Sequence, residues 1–335
     1  MRDVLARINA SAFAFQLVVD SDRRLLGTIT DGDVRRALLA GAVMDSPVER
    51  FMNADPKTGS SDDVTQAKWL LGEIRSMIPF LPLLDRDGRL ACVLTKRAGR
   101  NENPAALIMA GGRGSRLGDQ TRRTPKPLLT VRGVPILEHV LRHIETVGIR
   151  EVFVSTHYLS KQIEDFCRSR DGGALLTVLT EDAPRGTAGA ISMLPSDISV
   201  PVLVMNGDVV SSADLAAMLT LHSYQAWDAT IAVATHEWQI PYGVVRVDAE
   251  AGFLGIEEKP RVRHFVAAGI YLLNDRIRQL VPKGRHVDMP ELLEMGRDAG
   301  LKLGVFPIHE KWRDVGRPAD LEAANDEAEI KIAGD

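Results

Sequence analysis

Apolar and polar positions along this chain follow two rhythms, and the change comes near residue 104. Before it, short apolar runs arrive in pairs around polar turns. Residues 4–15 set apolar side chains loosely at helical spacing. Residues 16–20 and 25–30 read as strands joined by the turn Ser21-Asp22-Arg23-Arg24, and residues 31–39 read as a helix with a Thr- and Asp-rich start. The strand, turn and strand recur more faintly at 80–85 and 90–95, about 65 residues later, a longer period than solenoids show. A tandem of two small α+β units is implied over residues 1–98. Residues 96–103 are polar and without period, so a linker is expected there, with its core at 99–103.

From residue 105 to the C-terminus, buried-strand runs alternate with helical spacing. The runs at 105–110, 151–155, 175–179 and 202–206 read as strands; 136–144, the stretch holding Ile163 and Phe166, and 215–221 read as helices. That alternation builds an α/β domain over 104–335, with a Rossmann-like, mostly parallel sheet and helices on both faces. Right-handed crossovers then collect the loops leaving the strands along one rim, where chemistry belongs. Later, 242–245 and 254–260 look like antiparallel neighbours, which makes the sheet system mixed. A strand at 267–273, a helix at 289–295 and a closing helix at 319–328 follow.

Composition changes this picture little. The 335 residues suit about two domains. A formal net charge of -4 without a basic run argues against a nucleic-acid binder. Two cysteines, Cys92 and Cys167, lie far apart without metal-type spacing, so neither a disulfide framework nor a zinc site is expected, and a reducing cytoplasm fits. Asp3 and Arg7 interrupt the first residues, and no segment approaches about 18 uncharged apolar residues, so neither secretion nor a membrane span is expected.

The richest chemistry follows the first buried run of the second domain. Ala110 opens into Gly111-Gly112-Arg113-Gly114-Ser115-Arg116-Leu117-Gly118, and glycines there let backbone N–H groups approach an anion that a Cβ would push away. A Walker A loop fails, because Ser115-Arg116 stands where Lys-Ser or Lys-Thr is needed. A dinucleotide fingerprint fails as well: Leu117 replaces its third glycine, and no acid stands about 20 residues on. What remains is a loop presenting amides and Arg116 to a nucleoside triphosphate, with Lys126 supplied from Thr124-Pro125-Lys126-Pro127. Pro127 is expected to bias Lys126 toward extended backbone, giving a rigid cationic arm. The competing reading is a glycine-rich surface loop with a solvated lysine.

Other rim candidates are read the same way. After 175–179, Glu181 to Ala190 holds Gly186 for close approach and Thr187 to cap the helix that follows. The most strand-like run, 202–206, delivers Gly207-Asp208 to the same rim. Mg²⁺ needs only one or two protein carboxylates beside substrate phosphates, and Asp214 is better placed as the cap of the next helix, so Asp208 reads as a metal ligand.

The pattern Gly111-Gly112-x-Gly114-x-Arg116-Leu117 with Pro125-Lys126-Pro127 resembles the signature of sugar-1-phosphate nucleotidylyltransferases, from about residue 104 onward. The resemblance implies a nucleotide-diphospho-sugar transferase fold and an in-line, Mg²⁺-dependent transfer of a nucleotidyl group from an NTP to a sugar 1-phosphate. It assigns the nucleotide to Ala110, Gly111, Gly112, Gly114, Glu181, Gly186 and Asp208, and the triphosphate to Arg116 and Lys126. The sugar phosphate falls to Gly243, Glu258, Lys259 and Gly269, and the metal to Asp208 and Asp314. The Thr124–Pro127 form and the ending Trp312-Arg313-Asp314-Val315-Gly316-Arg317-Pro318 look most like guanylyltransferases, with UTP and CTP as alternatives.

In the first domain, Leu26-Gly27-x-Ile29-Thr30-x-x-Asp33-Val34 resembles the end of a CBS module, whose Thr and Asp contact a nucleotide ribose. A CBS pair is expected to act as a dimerisation scaffold, making the chain a homo-oligomer, with an adenine nucleotide as its candidate ligand. The second copy keeps Thr95 but has no aspartate three residues on. An alternative of another class is a nucleotide-sensing protein that no longer catalyses; retention of Lys126, Asp208, Lys259 and Asp314 argues against it.

Overall fold

Residue contacts divide the chain into two units, Met1–Asn101 and Glu102–Asp335. The computed structural model describes residues 1–9, 14–74, 76, 78–95, 104–198 and 201–326. The stretch 96–103, expected as a linker, and residues 327–328 of the expected closing helix lie outside them. Among the described residues no helix is long and apolar enough to cross a membrane.

The first unit carries its repeat in backbone detail. Phe15–Val19 pairs antiparallel with Leu25–Thr30, and Phe80–Leu84 with Leu90–Thr95; each hairpin shifts register near its turn, at Val18/Val19 and at Leu83/Leu84. Both turns are tied by an aspartate. Asp20 Oδ1 accepts from the N–H groups of Asp22 and Arg24, and Asp85 Oδ1 from those of Asp87 and Arg89, all at 2.8–2.9 Å. The first residues of the two hairpins, Phe15 and Phe80, stack with ring centroids 4.0 Å apart. Helix Asp31–Leu39 starts at Thr30, whose hydroxyl accepts from Asp33 N while Asp33 accepts from Thr30 N, a reciprocal capping box.

In the second unit seven strands form the main sheet among the described residues: β1 (Ala105–Met109), β2 (Glu151–Thr156), β3 (Leu175–Thr180), β4 (Val202–Asn206), β5 (Ala229–Gln239), β6 (Arg261–Leu273) and β7 (Leu303–Ile308). Their spatial order is β3-β2-β1-β4-β6-β5-β7, and all neighbours run parallel except β6, which is antiparallel to β4 and β5. The uninterrupted apolar runs of β1 and β4 follow from cover on both faces. Ala106, Ile108, Leu203 and Met205 pack toward helices Ile136–Thr146 and Leu215–Gln225; Ala105, Leu107, Val202 and Val204 pack toward helix Met289–Asp298. Asp214 caps Leu215–Gln225, accepting from Ala217 N at 2.9 Å.

The strand expected at 267–273 is the buried end of a longer element. β6 begins at Arg261, and its first residues are mostly exposed beside the exposed end of β5, so their polar character hid them. Between Ala267 and Tyr271 the β5–β6 register slips, and Gly269 sits in the slip at φ 71. A Cβ there would stand 2.7 Å from Asn206 Nδ2 at the end of β4, so only glycine lets the two strand ends meet.

Candidate active site

The loop leaving β1 is tied at its root by Ala110 N, which donates to Ser155 O at 2.9 Å. Gly111 lies beside the β3 loop, its absent Cβ 3.3 Å from Glu181 Oε1, while Gly112 faces open space. Gly114 adopts φ 61, and a Cβ there would press on Lys126 Cβ at 3.0 Å. Ser115–Thr121, carrying exposed Arg116, then coils back; Thr121 Oγ1 donates to Gly114 O at 3.0 Å. Lys126 departs from expectation. The extended residue is Pro125, and Lys126 opens a 3₁₀ turn, Lys126–Leu128, in which Leu128 N donates to Pro125 O at 2.8 Å. The fixed φ of Pro127 suits the middle of that turn, and closing the turn outweighs the bias on the residue before it.

Beyond β4, Gly207 lets the chain cross the end of β1: its N–H donates to Met109 O at 2.9 Å, and a Cβ would stand 2.8 Å from that oxygen. Val209–Ser211 then pairs antiparallel with Trp312–Asp314, with Val209 opposite Asp314, and Val315 N donates to Asp208 O at 3.0 Å. This short ladder sets two carboxylates side by side, although they are remote in sequence. Lys126 Nζ hydrogen-bonds Asp208 Oδ2 and lies 3.7 Å from Asp314 Oδ1. The lysine side chain is only 12% exposed, against 26% for Asp208 and 52% for Asp314. Asp208 Oδ1 is buried without a hydrogen-bond partner among the described residues. Burial, and after it the neighbouring Asp208 charge, push the Asp314 carboxyl above its ordinary range, while the Lys126 and Arg116 charges oppose the shift.

After β3, the Glu181 carboxylate is buried and accepts from Arg185 N at 3.0 Å. Gly186, at φ 76, makes its close approach to the chain itself: a Cβ would stand 2.5 Å from Val287 O. Thr187 does not cap the short helix Gly186–Gly189. Its hydroxyl accepts from Met289 N at 2.8 Å, at the start of helix Met289–Asp298, so a local reading of a capping residue misses a partner 102 residues away.

The remaining candidates lie on a separate hairpin, Gly243–Val247 paired with Phe253–Glu258. Gly243 is opposite Glu258, with its absent Cβ 3.0 Å from Glu258 Oε2. Lys259 is exposed and stands at φ 47, its N–H donating to Tyr242 O at 3.2 Å. That left-handed backbone costs about 1–2 kcal/mol for a residue with a Cβ.

Residues 105–330 match the nucleotidyl transferase family, and residues 1–40 match the CBS domain. The chain belongs to the nucleotidyl transferase family. Mannose-1-phosphate guanylyltransferase of Mycobacterium tuberculosis is 33% identical over 228 residues, covering 64% of this chain and 62% of its own length. Mannose-1-phosphate guanyltransferase beta-B of Xenopus laevis is 31% identical over 229 residues, with the same shares of 64% and 62%. The chain thus spans 62% of the length of both relatives. HddC from Yersinia pseudotuberculosis shares the fold, with a TM-score of 0.53 and 24% identity over 66% of this chain and 98% of that one.

Within this nucleotidyl transferase unit, the rim gathers Gly111, Gly114, Lys126, Asp208 and Asp314 around two strand ends and one short ladder. Glu181 joins them beside Gly111. Gly243, Glu258 and Lys259 form a second group on the hairpin, and Gly269 adjoins Asn206 instead. The sequence reading missed Asn206 and Asp288. A polar residue ending the run 202–206, and an aspartate directly before the predicted helix at 289–295, were the signals available.

Proposed function

We propose that this chain transfers a nucleotidyl group from an NTP, GTP being favoured, to a sugar 1-phosphate, yielding an NDP-sugar and pyrophosphate. The observation that carries the reading is the convergence of Lys126 on Asp208 and Asp314 beside a glycine loop. The preference for GTP is supported by relatives named as mannose-1-phosphate guanylyltransferases.

In the proposed reaction a sugar-phosphate oxygen attacks the α-phosphorus in line, forming one P–O bond while the bond to the β-phosphate oxygen breaks. The chain's contribution is positioning and charge. Amides of Gly111, Gly112 and Gly114, with Arg116, hold the triphosphate; Lys126 neutralises charge growing near the α-phosphate. Glu181 and the Gly186 backbone face the base. Lys259 orients the incoming phosphate, with Glu258, Gly243 and Gly269 toward the sugar.

Asp208 and Asp314 fit a divalent cation such as Mg²⁺: both are hard oxygen donors, and the buried Asp208 Oδ1 has no partner among the described residues. A cation bound there would neutralise phosphate charge and polarise the phosphoryl oxygens.

In the first unit, we propose that the two hairpins form a CBS pair that mediates homo-oligomerisation and takes an adenine nucleotide. A cavity of about 250 Å³ beside Thr30, Asp33, Arg36, Lys57 and Phe80 offers cations for phosphate and a ring for stacking.

Pyrophosphate release from the four NTPs crossed with mannose-, heptose- and amino-sugar 1-phosphates tests the reaction, and GTP should be fastest. UTP or CTP leading would overturn only the base. No release from any pair, with tight adenylate binding, would favour the non-catalytic sensor.

A further inference from the structure

The loop that follows β3 is held along its length by a distant segment. Arg185 O accepts from Val287 N at 2.9 Å, and Val287 O accepts from Ala188 N and Gly189 N at 2.9 and 3.1 Å. His286 Nδ1 lies 3.1 Å from Pro184 O. At the centre, Asp288 Oδ1 accepts from Thr187 N at 3.0 Å and from Thr187 Oγ1 at 3.3 Å, 101 residues away in sequence.

Asp288 occupies the N-cap position of helix Met289–Asp298, yet its carboxylate makes no cap bond to its own helix. An aspartate there normally accepts from its own second or third helical N–H. Pro290 removes one of those donors, and the carboxylate turns to Thr187 instead. The Thr187 N–H holds the Asp288 carboxyl below its usual range despite partial burial, with the neighbouring His286 charge assisting. The tie continues inward. Gly186 is pressed on Val287 O, and the next N–H back, that of Arg185, donates to the buried Glu181 carboxylate, which adjoins Gly111 of the glycine loop.

We propose that Asp288 is a positioning residue for nucleotide recognition. Through Thr187 it fixes the 184–189 backbone, and through Arg185 N–H it fixes the Glu181 carboxylate that faces the base. This rests on the proposed function, which sets that loop against the nucleobase. Asp288 itself touches no substrate.

Titration calorimetry of the four NTPs, without sugar phosphate, into wild type, Asp288→Ala, Asp288→Asn and Thr187→Val tests it, with thermal melting recorded alongside. Asp288→Ala should weaken the preferred NTP roughly tenfold and compress the preference among bases, the scale expected for losing a charge-assisted hydrogen bond. Asp288→Asn keeps an acceptor for Thr187 N–H and should recover most of the affinity. In turnover assays KM for the sugar 1-phosphate should stay within about twofold, because the hairpin lies outside the tie. Unchanged NTP binding in Asp288→Ala overturns the proposal, as does equal loss for both substrates that Asp288→Asn fails to rescue. If Asp288→Ala does not fold, Thr187→Val, which keeps the N–H but removes the hydroxyl that donates to Asp288 and accepts from Met289 N, should show a smaller loss of the same kind, and unchanged NTP binding in it overturns the proposal. Wild type binding no NTP would instead remove the proposed function and the positioning role together.

Discussion

The two groups of proposed site residues are built by opposite means. Asp208 follows the end of β4, Asp314 stands on the ladder attached to it, and Lys126 reaches both from its 3₁₀ turn; their supports Ile108, Met205 and Val209 are buried. Gly243, Glu258 and Lys259 stand on a two-stranded hairpin whose one face, Val245, Val247, Phe253 and Ile256, is 52–69% exposed. An isolated pair of strands is marginal without a second layer. The difference teaches where rigidity is invested. Electrostatic help at a phosphorus depends on groups already in place, and deep packing supplies that order. In the proposed reaction the acceptor must enter before it can react, which suits a lysine on an open hairpin.

The largest break in the comparison should come from Lys126→Ala. The variant should fold while pyrophosphate release falls by about 10²–10³ at saturating substrates, the range for deleting one group that meets developing charge. Stopped-flow or coupled assays measure it; near wild-type turnover would remove Lys126 from the chemistry. Loss of the ammonium also leaves two adjacent carboxylates unneutralised, so the double variant Lys126→Ala, Asp314→Asn should melt at a higher temperature than Lys126→Ala alone.

Next in size is Lys259→Ala. KM for the sugar 1-phosphate should rise roughly tenfold while NTP affinity holds, as for loss of one charged hydrogen-bonding partner. Equal weakening of both substrates would erase the division between the two groups.

What could be read in advance follows the same division. β1, β4 and the sheet around them were legible because cover on both faces demands unbroken apolar runs, and Gly207-Asp208 at the end of such a run marks the rim. Asp314 was visible only by family resemblance. The register that brings it opposite Val209 is a pairing between remote segments, and no local pattern encodes it. Thr187 and Lys126 were misread for a related reason: a hydroxyl signals that something is capped, and a proline that a backbone is restricted, but neither names the partner. The left-handed backbone of Lys259 runs against the usual bias before proline, so tertiary context sets it.

A smaller effect concerns acid. His143 and His222 are buried on helices under the main sheet. His143 Nε2 lies 2.8 Å from Ala213 O with Nδ1 unpartnered among the described residues, and His222 bridges Thr230 and Asn274. Burial lowers the pKa of both from its ordinary value. In the unfolded chain each takes a proton near pH 6.5, and in the folded chain only at lower pH, so the unfolded state binds more protons and stability falls as pH drops below about 6.5. Urea midpoints at pH 7.5 and 5.5 measure the fall. His143→Gln, which keeps a donor toward Ala213 O, should flatten it; an unchanged slope would assign the acid sensitivity elsewhere.

The smallest expected effect is the sharpest probe of the hairpin. Ile256→Ser on its exposed face should change unfolding free energy by less than about 0.5 kcal/mol, whereas Ile108→Ala in β1 should cost about 2–5 kcal/mol. Both are isoleucines cut to small residues, and the difference in burial, 60% exposed against fully buried, dominates the contrast. Urea denaturation reads it directly. A large loss from Ile256→Ser would mean that another surface covers the hairpin in solution, and the hairpin residues would then be as enclosed as Lys126 and Asp208. A small loss leaves the hairpin open, with Lys259 held by its own turn and by Tyr242 O rather than by a packed layer.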